Sequence, residues 1–335
     1  MAILFAANAE GPDGLQGSIE YNTETGMRRP DTARQSYHIG GGSPPITATV
    51  APQTRFVGKR YIRQLSNSGI SGQQWFNEFR DGATARIRCH PDTSAGFAVR
   101  VVSVDGASET VLFVTSSFLP TPTGNGAMGG FDIEIDINYT EEGWVRAYVN
   151  ETLVGEFIGD PRVGGSTTLD TMAMRGLRSA ASWGEHRTSN IMIADDSLVG
   201  VNLCTTIASG AGFENEWDGS HTAINNTGAP NANVISSDTS GESYFFAMTD
   251  IPSALGLIEV RELIARVQAQ KGSSGPDALA QRIRHDGTNY AGTTHSLDTG
   301  LDWYEDRWAL NPDTSEPWTK ADLDALQLGC LSETI

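Results

Sequence analysis

One short run, Phe131 to Asn138, constrains this chain more than any other. Phe131, Ile133, Ile135 and Ile137 alternate with Asp132, Glu134, Asp136 and Asn138. Strict period two predicts a strand with one apolar face and one acidic face. Thr140-Glu141-Glu142-Gly143 turns the chain into a second strand, Trp144 to Val149. Asn150-Glu151 turns it again into Leu153 to Phe157. Three strands joined by tight turns form a meander with a dry face and a wet face. The dry face needs a second sheet to cover it. The expected fold is therefore all-β, a jelly-roll sandwich of two sheets.

The rest of the chain supplies strands at the spacing of a sandwich. Arg55 to Ile62, Trp75 to Arg80, Ala83 to Cys89, Phe97 to Val104 and Thr110 to Val114 read as strands, with Asp81-Gly82 and Asp105-Gly106 as turns. Residues 1–50 show little periodicity, and Gly40-Gly41-Gly42-Ser43-Pro44-Pro45 reads as a turning segment. Ser166 to Arg178 suggests a strand pair, and Thr188 to Ala194 the closing strand. A chain of 335 residues suits two domains. The boundary is expected near Ser197, giving a sandwich over 1–197 and a smaller β-rich module over 198–335. In that module Tyr244 to Met248, Leu257 to Ala269 and Leu279 to His285 read as strands. Thr319 reads as the N-cap of a short terminal helix, with Asp322 three residues on and Gly329 as its stop. No fixed-period repeat or heptad pattern points to a fibrous shaft.

Charge narrows the function classes. A net charge of −18 argues against nucleic acid and against anionic membranes, since both are held by Lys and Arg. No stretch reaches the roughly 20 apolar residues of a membrane span. Met1-Ala2-Ile3-Leu4-Phe5 lacks the basic start and apolar length of a secretory leader, so synthesis in a cytoplasm is expected. Cys89, Cys204 and Cys330 are odd in number and widely spaced, which fits neither a disulfide framework nor a zinc site.

Glu134-Ile135-Asp136-Ile137 resembles the strand signature of family 16 glycoside hydrolases, which share the concanavalin-like sandwich. There two Glu flank an Asp on one strand face, as nucleophile and acid/base, about 5–5.5 Å apart across the scissile bond. Here Asn138 stands where the second Glu is needed, and an amide cannot protonate a leaving group. The row reads instead as a solvent-facing acidic face, with Glu134, Asp136 and Asn138 a vestigial sugar site. No cofactor is expected. One oxygen-rich group, Asp195-Asp196 with Glu214, Glu216 and Asp218, has the donor type of a calcium site. His38, His90, His186, His221, His285 and His295 form no paired ligand motif. Trp303, Tyr304, Trp308 and Trp318 read as a small core rather than a sugar platform. Two long loops, Gly40–Pro52 with Pro44 and Pro45, and Glu214–Asn233 with Trp217, Asn225 and Asn226, are the expected interaction surfaces, because loops beyond about 12–15 residues are usually functional or disordered.

From Trp75 to Asp196 the chain resembles the laminin-G/concanavalin-like sandwiches of tailed-bacteriophage virion proteins. The likeness is carried by Phe131 to Asp160 and by Asn190-Ile191-Met192-Ile193-Ala194-Asp195. Asn311-Pro312-Asp313-Thr314 followed by Trp318-Thr319 is similar to the C-terminal module of such proteins, with Ser315 where many have Gly. The resemblance implies a non-enzymatic virion component of tail-fibre or minor-tail type. It implies other virion proteins as partners, self-association into a homo-oligomer and contact with host-surface glycan. Two alternatives accompany it: a carbohydrate-binding module, and a glycoside hydrolase, which Asn138 disfavours.

Overall fold

The computed structural model describes residues 2–7, 15–16, 20–22, 36–39, 45–64, 75–92, 98–116, 130–175, 186–201, 203–204, 206, 208–224, 234–251 and 259–335. The chain divides into two compact units, Met1–Leu203 and Cys204–Ile335. The first holds β1 (Ile3–Ala7), β2 (Leu15–Gln16), β3 (Glu20–Asn22), β4 (Ser36–Ile39), β5 (Ile46–Gln53), β6 (Arg55–Gln64), β7 (Asn77–Asp81) and β8 (Thr84–Asp92). It continues with β9 (Ala98–Asp105), β10 (Ser108–Val114), β11 (Phe131–Asn138), β12 (Trp144–Val149), β13 (Thr152–Ile158), β14 (Leu169–Met174) and β15 (His186–Ala194).

These strands form an antiparallel sandwich. One sheet has eight strands in the order β13-β12-β11-β6-β15-β4-β3, with β1 also on β15; the other has seven, β10-β9-β8-β7-β14-β5-β2. Their inner faces share one core. Phe131, Ile133, Ile135 and Ile137 are all fully buried in it, against Phe79, Ile87, Val101 and Met172 of the other sheet. Each such side chain contributes about 1.5–3 kcal/mol. The sheets approach closely at Gly58, opposite Ile135 in the register. A Cβ there would lie 2.7 Å from Phe79 Cε1 and 2.8 Å from Met172 Sδ, so only glycine fits. Asn150 and Glu151 take φ of 46° and 68° in the tight turn between β12 and β13. Asn150 suits this because its Oδ1 accepts the amide of Asp132, 3.0 Å away.

Arg60 shares the inner side with Phe56, Gly58 and Ile62 and is only 1% exposed. Its Nη2 donates to the carbonyls of Phe76 and Arg175 at 2.9 and 3.0 Å, tying β6 to the ends of β7 and β14. Burial lowers its pKa to about 9, opposed weakly by Cys89.

The second unit holds β16 (Ala208–Asn215), α1 (His221–Ile224), β17 (Ser243–Met248), β18 (Leu263–Ala269), β19 (Ala278–His285), β20 (Thr288–Ser296), β21 (Asp302–Trp308), α2 (Lys320–Ala325) and β22 (Gln327–Glu333). Five strands form one sheet, β16-β17-β22-β19-β20, and β18 pairs with β21. Trp318, Ile283 and Leu326 make its buried cluster, with Trp308 and Tyr290 packed against it. Trp318 Nε1 donates to the Trp308 carbonyl, 3.0 Å away, so Trp308 and Trp318 of the aromatic-rich stretch form a small core, while Trp303 and Tyr304 lie outside this cluster.

Several expectations are corrected. Residues 1–50 show little periodicity, yet five strands begin there, and β1 pairs with β15. Of the expected Gly40–Pro52 loop, Ile46–Pro52 belongs to β5, which pairs with β14. In the stretch expected to hold a strand pair, the described residues form the single strand β14. The terminal helix has the expected capping box between Thr319 and Asp322, but it ends at Ala325 with Leu326 as C-cap. Gly329 does not stop it; it lies inside β22, where a Cβ would meet the Phe245 ring at 2.6 Å. The larger correction concerns β11, whose acidic face is not wet: Asp132, Glu134 and Asp136 are 2%, 2% and 1% exposed.

Candidate functional site

What covers Glu134, the middle of the acidic row, is the chain's own exit from the sandwich. On the outer side of the eight-stranded sheet, Glu134 stands opposite Lys59 in the register. Glu134 Oε1 accepts the Ser197 hydroxyl and the Leu198 amide, each at 3.0 Å. Lys59 Nζ donates to the carbonyls of Leu198 and Val201 at 3.0 and 2.7 Å. Together they clamp residues 197–201 onto the sheet, and the first unit continues past Ser197 to Leu203. Burial raises the Glu134 pKa, opposed by the Leu198 amide, Lys59 and Ser197. Asp136 is held by Arg55 through Nε and Nη2 at 3.3 and 3.2 Å, and Arg55 Nη1 reaches Asp196 at 2.7 Å. Asn138 is half-buried and its Oδ1 accepts the Thr140 hydroxyl at 3.3 Å. The three residues share one strand face, as their spacing requires. Glu134 Oε1, both Asp136 oxygens and Asn138 Oδ1 are engaged in holding the fold, and both carboxylates are buried.

The opposite outer face carries a different chemistry. In the seven-stranded sheet Phe79, Ile87, Cys89, Val99, Val101 and Met172 point inward. Alternation therefore sends Glu78, Arg80, Arg88, His90, Arg100 and Arg175 outward. The register sets Glu78 opposite Arg88, and His90 opposite Arg100. Glu78 is shared by two arginines: Oε1 lies 2.6 Å from Arg80 Nε and Oε2 2.5 Å from Arg88 Nε. Glu109 Oε1, from β10, lies 3.1 Å from Arg88 Nη1 and 3.3 Å from His90 Nε2. The arginine heads stay partly open, with side chains of Arg80 and Arg88 19% and 26% exposed. Four arginines thus gather on one face of a chain whose net charge is −18.

Trp75 organises one end of this face. The Arg175 guanidinium lies over its ring, 4.3 Å from the centroid, and Arg80 lies 6.0 Å from it. The Arg175 carbonyl is tied to Arg60 in the core, so its backbone is held from within while its side chain faces out. Arg175 makes no ion pair among the described residues, and its Nε is buried without a hydrogen-bond partner. Burial lowers its pKa, opposed by Glu78 and aided by Arg80 and Arg88. His90 is also pulled below the usual imidazole range, by burial first; Glu109 opposes this, and Arg100 and Arg88 add to it. Its Nδ1 has no hydrogen-bond partner. A planar guanidinium on an indole presents its free edge to a planar acid group, and bidentate pairing of that kind is geometrically specific.

Sequence reasoning passed over this face. Its signal was present: Arg88 and His90 alternate with Ile87 and Cys89. Arg175 comes from a strand far along the chain, and only the β7–β14 pairing brings it to Trp75. The other predicted residues fall elsewhere. Pro45 is half-buried just before β5, while Pro44, Asn225 and Asn226 lie outside the described residues. Trp217 is an anchor rather than an open contact: it packs on Tyr244 and Phe246, and its Nε1 donates to the Glu242 carbonyl at 3.0 Å. Of the proposed calcium donors, Asp196 is paired with Arg55, and Glu216 Oε2 accepts the Ser243 amide at 2.7 Å. Among the described residues no three His, Cys, Asp or Glu side chains gather as a metal group.

No family model matches the chain, and no curated protein matches it. Solved structures resemble it at low similarity. An endo-β-1,4-glucuronan lyase from the fungus Trichoderma reesei is 9% identical, with a TM-score of 0.39, covering 58% of this chain and 96% of the lyase. The cellulose-induced protein Cip1 is 14% identical at a TM-score of 0.38, over 56% of this chain and 89% of its own. The binding domain of botulinum neurotoxin DC, solved with rat synaptotagmin II, is 10% identical at a TM-score of 0.40, over 85% of this chain and 73% of its own. Likenesses of this size carry no argument about function, which rests on the residues above.

Proposed function

We propose that the first unit is a non-catalytic, glycan-binding sandwich carried on a tailed-bacteriophage particle, where it contributes to attachment at the host surface. The observation that carries the binding reading is the outer face of the seven-stranded sheet. There Trp75, Arg80, Arg88 and Arg175 form a partly open row of stacked and hydrogen-bonding groups. Such rows bind sugars through guanidinium donors on hydroxyl and acid oxygens. The non-catalytic part of the reading is supported by Glu134 and Asp136, whose carboxylates are buried and bonded to Leu198, Ser197 and Arg55. The virion setting, with other virion proteins and further copies of this chain as partners, comes from the sequence resemblance.

A glycan array probed with the full chain tests the binding reading. Retention of a defined set of surface polysaccharides, with no release of reducing ends, is the expected result. Absence of any bound glycan contradicts the binding reading, and turnover of a bound one contradicts the non-catalytic part. Gold-labelled antibody against the chain should decorate the tail or head surface of purified particles, and unlabelled particles would remove the virion setting.

A further inference from the structure

We infer that the polymer held by this face is acidic, and that Arg175 on Trp75 takes one of its acid groups, a carboxylate or a sulfate ester. The inference rests on the glycan-binding reading and names the class of glycan. Its basis is the unequal treatment of three arginines of this face, Arg80, Arg88 and Arg175. Arg80 and Arg88 are neutralised by Glu78, and Arg88 also by Glu109. Arg175 is half-buried, stacked on an indole 4.3 Å away, and has no ion-pair partner among the described residues. Among charged groups Glu78 acts on it most and attracts it, but both Glu78 oxygens bond Arg80 and Arg88, and those two arginines repel it. A guanidinium withdrawn from water beside other cations is costly until an anion pairs with it.

A neutral sugar offers hydroxyl oxygens and leaves that charge unbalanced. An acid group supplies two acceptor oxygens in the plane of the guanidinium fork and the missing negative charge at once. The surrounding charge sharpens the selection. A chain of net charge −18 repels a polyanion everywhere except where its cations are concentrated, so the face also fixes where the polymer lands. The position is built into the fold. Arg60 holds the Arg175 carbonyl from the core side, so substituting the Arg175 side chain leaves that inter-sheet bond in place.

The test is calorimetric titration of the full chain with polygalacturonate, with the same polymer after carboxyl reduction, and with dextran sulfate, at fixed ionic strength. Polygalacturonate or dextran sulfate should bind and the carboxyl-reduced polymer should not. Preference between the first two identifies the carboxylate or the sulfate as the group taken. Arg175→Gln should weaken that binding about tenfold to a hundredfold, the size of a lost charge-assisted contact. Arg175→Lys, which keeps the charge without the planar fork, should recover part of the loss. Arg146→Gln, on the outer face of the other sheet, should bind as the unaltered chain does, and unchanged melting temperatures would show that all three variants fold. Equal binding of the acidic and reduced polymers, or unchanged affinity in Arg175→Gln, overturns the inference while leaving glycan binding intact. Binding of neither, together with an empty glycan array, overturns the reading beneath it.

Discussion

Glu134→Ala separates the clamp seen in the structure from the open acidic face expected of an alternating strand. An exposed Glu on a sheet surface changes stability by less than about 0.5 kcal/mol when truncated. The clamped Glu134 is different. Its removal leaves the buried Leu198 amide without its acceptor, at about 1–3 kcal/mol. It also takes away the carboxylate opposite buried Lys59, and breaking a buried charged pair costs about 3–5 kcal/mol. Lys59 keeps the carbonyls of Leu198 and Val201, so the two costs overlap, and about 3–5 kcal/mol in total is the expected loss. Glu134→Gln also removes the charge opposite Lys59 but keeps an acceptor for Ser197 and Leu198, so it should lose less than the alanine variant, about 1–3 kcal/mol. Urea unfolding followed by tryptophan fluorescence measures both. The alanine variant should also show faster amide exchange at residues 197–201. A Glu134→Ala protein as stable as the unaltered chain would refute the clamp.

The other predictions concern packing and protons. Trp318→Ala should cost about 3–5 kcal/mol and lower the melting transition of the second unit, leaving that of the first unchanged by calorimetry, because the ring is 2% exposed within the Ile283–Leu326 cluster. Gly58→Ala should cost about 1–3 kcal/mol in the same measurement, since its Cβ meets Phe79 and Met172 below 3.0 Å. The lowered His90 pKa means that the unfolded chain binds the His90 proton first as pH falls. Stability should therefore drop as pH falls through the ordinary imidazole range around 6.5 and level off below the folded value. His90→Gln should flatten that part of the pH–stability curve, and an unchanged curve would remove His90 as its source.

Much of the sandwich was legible because period two is a local signal. Phe131 to Ile137 announced the core face directly, and Asp81-Gly82 and Asp105-Gly106 announced turns whose glycines have φ of 57° and 60°. Alternation says that two faces differ, but not what lies on the second. The covering of Glu134 comes from Ser197 and Leu198, distant in sequence, so its burial could not be read locally. The short strands β2 and β3 contain too few residues to show a period. Gly329 was misplaced because glycine serves equally as a helix stop and as the residue that lets two strands approach; its neighbour Phe245 decides between them. The cationic face was hidden for a related reason. Its arginines lie on β7, β8, β9 and just past β14, and they become one surface only through the strand order β9-β8-β7-β14.

The most direct test is a crystal structure of the full chain grown with an acidic oligosaccharide that it binds in solution. The account predicts sugar density along the outer face of the seven-stranded sheet, with an acid group within hydrogen-bond distance of the Arg175 guanidinium and the Trp75 stack preserved. Sugar seated on the eight-stranded sheet or on the second unit, with Arg175 untouched, would contradict it.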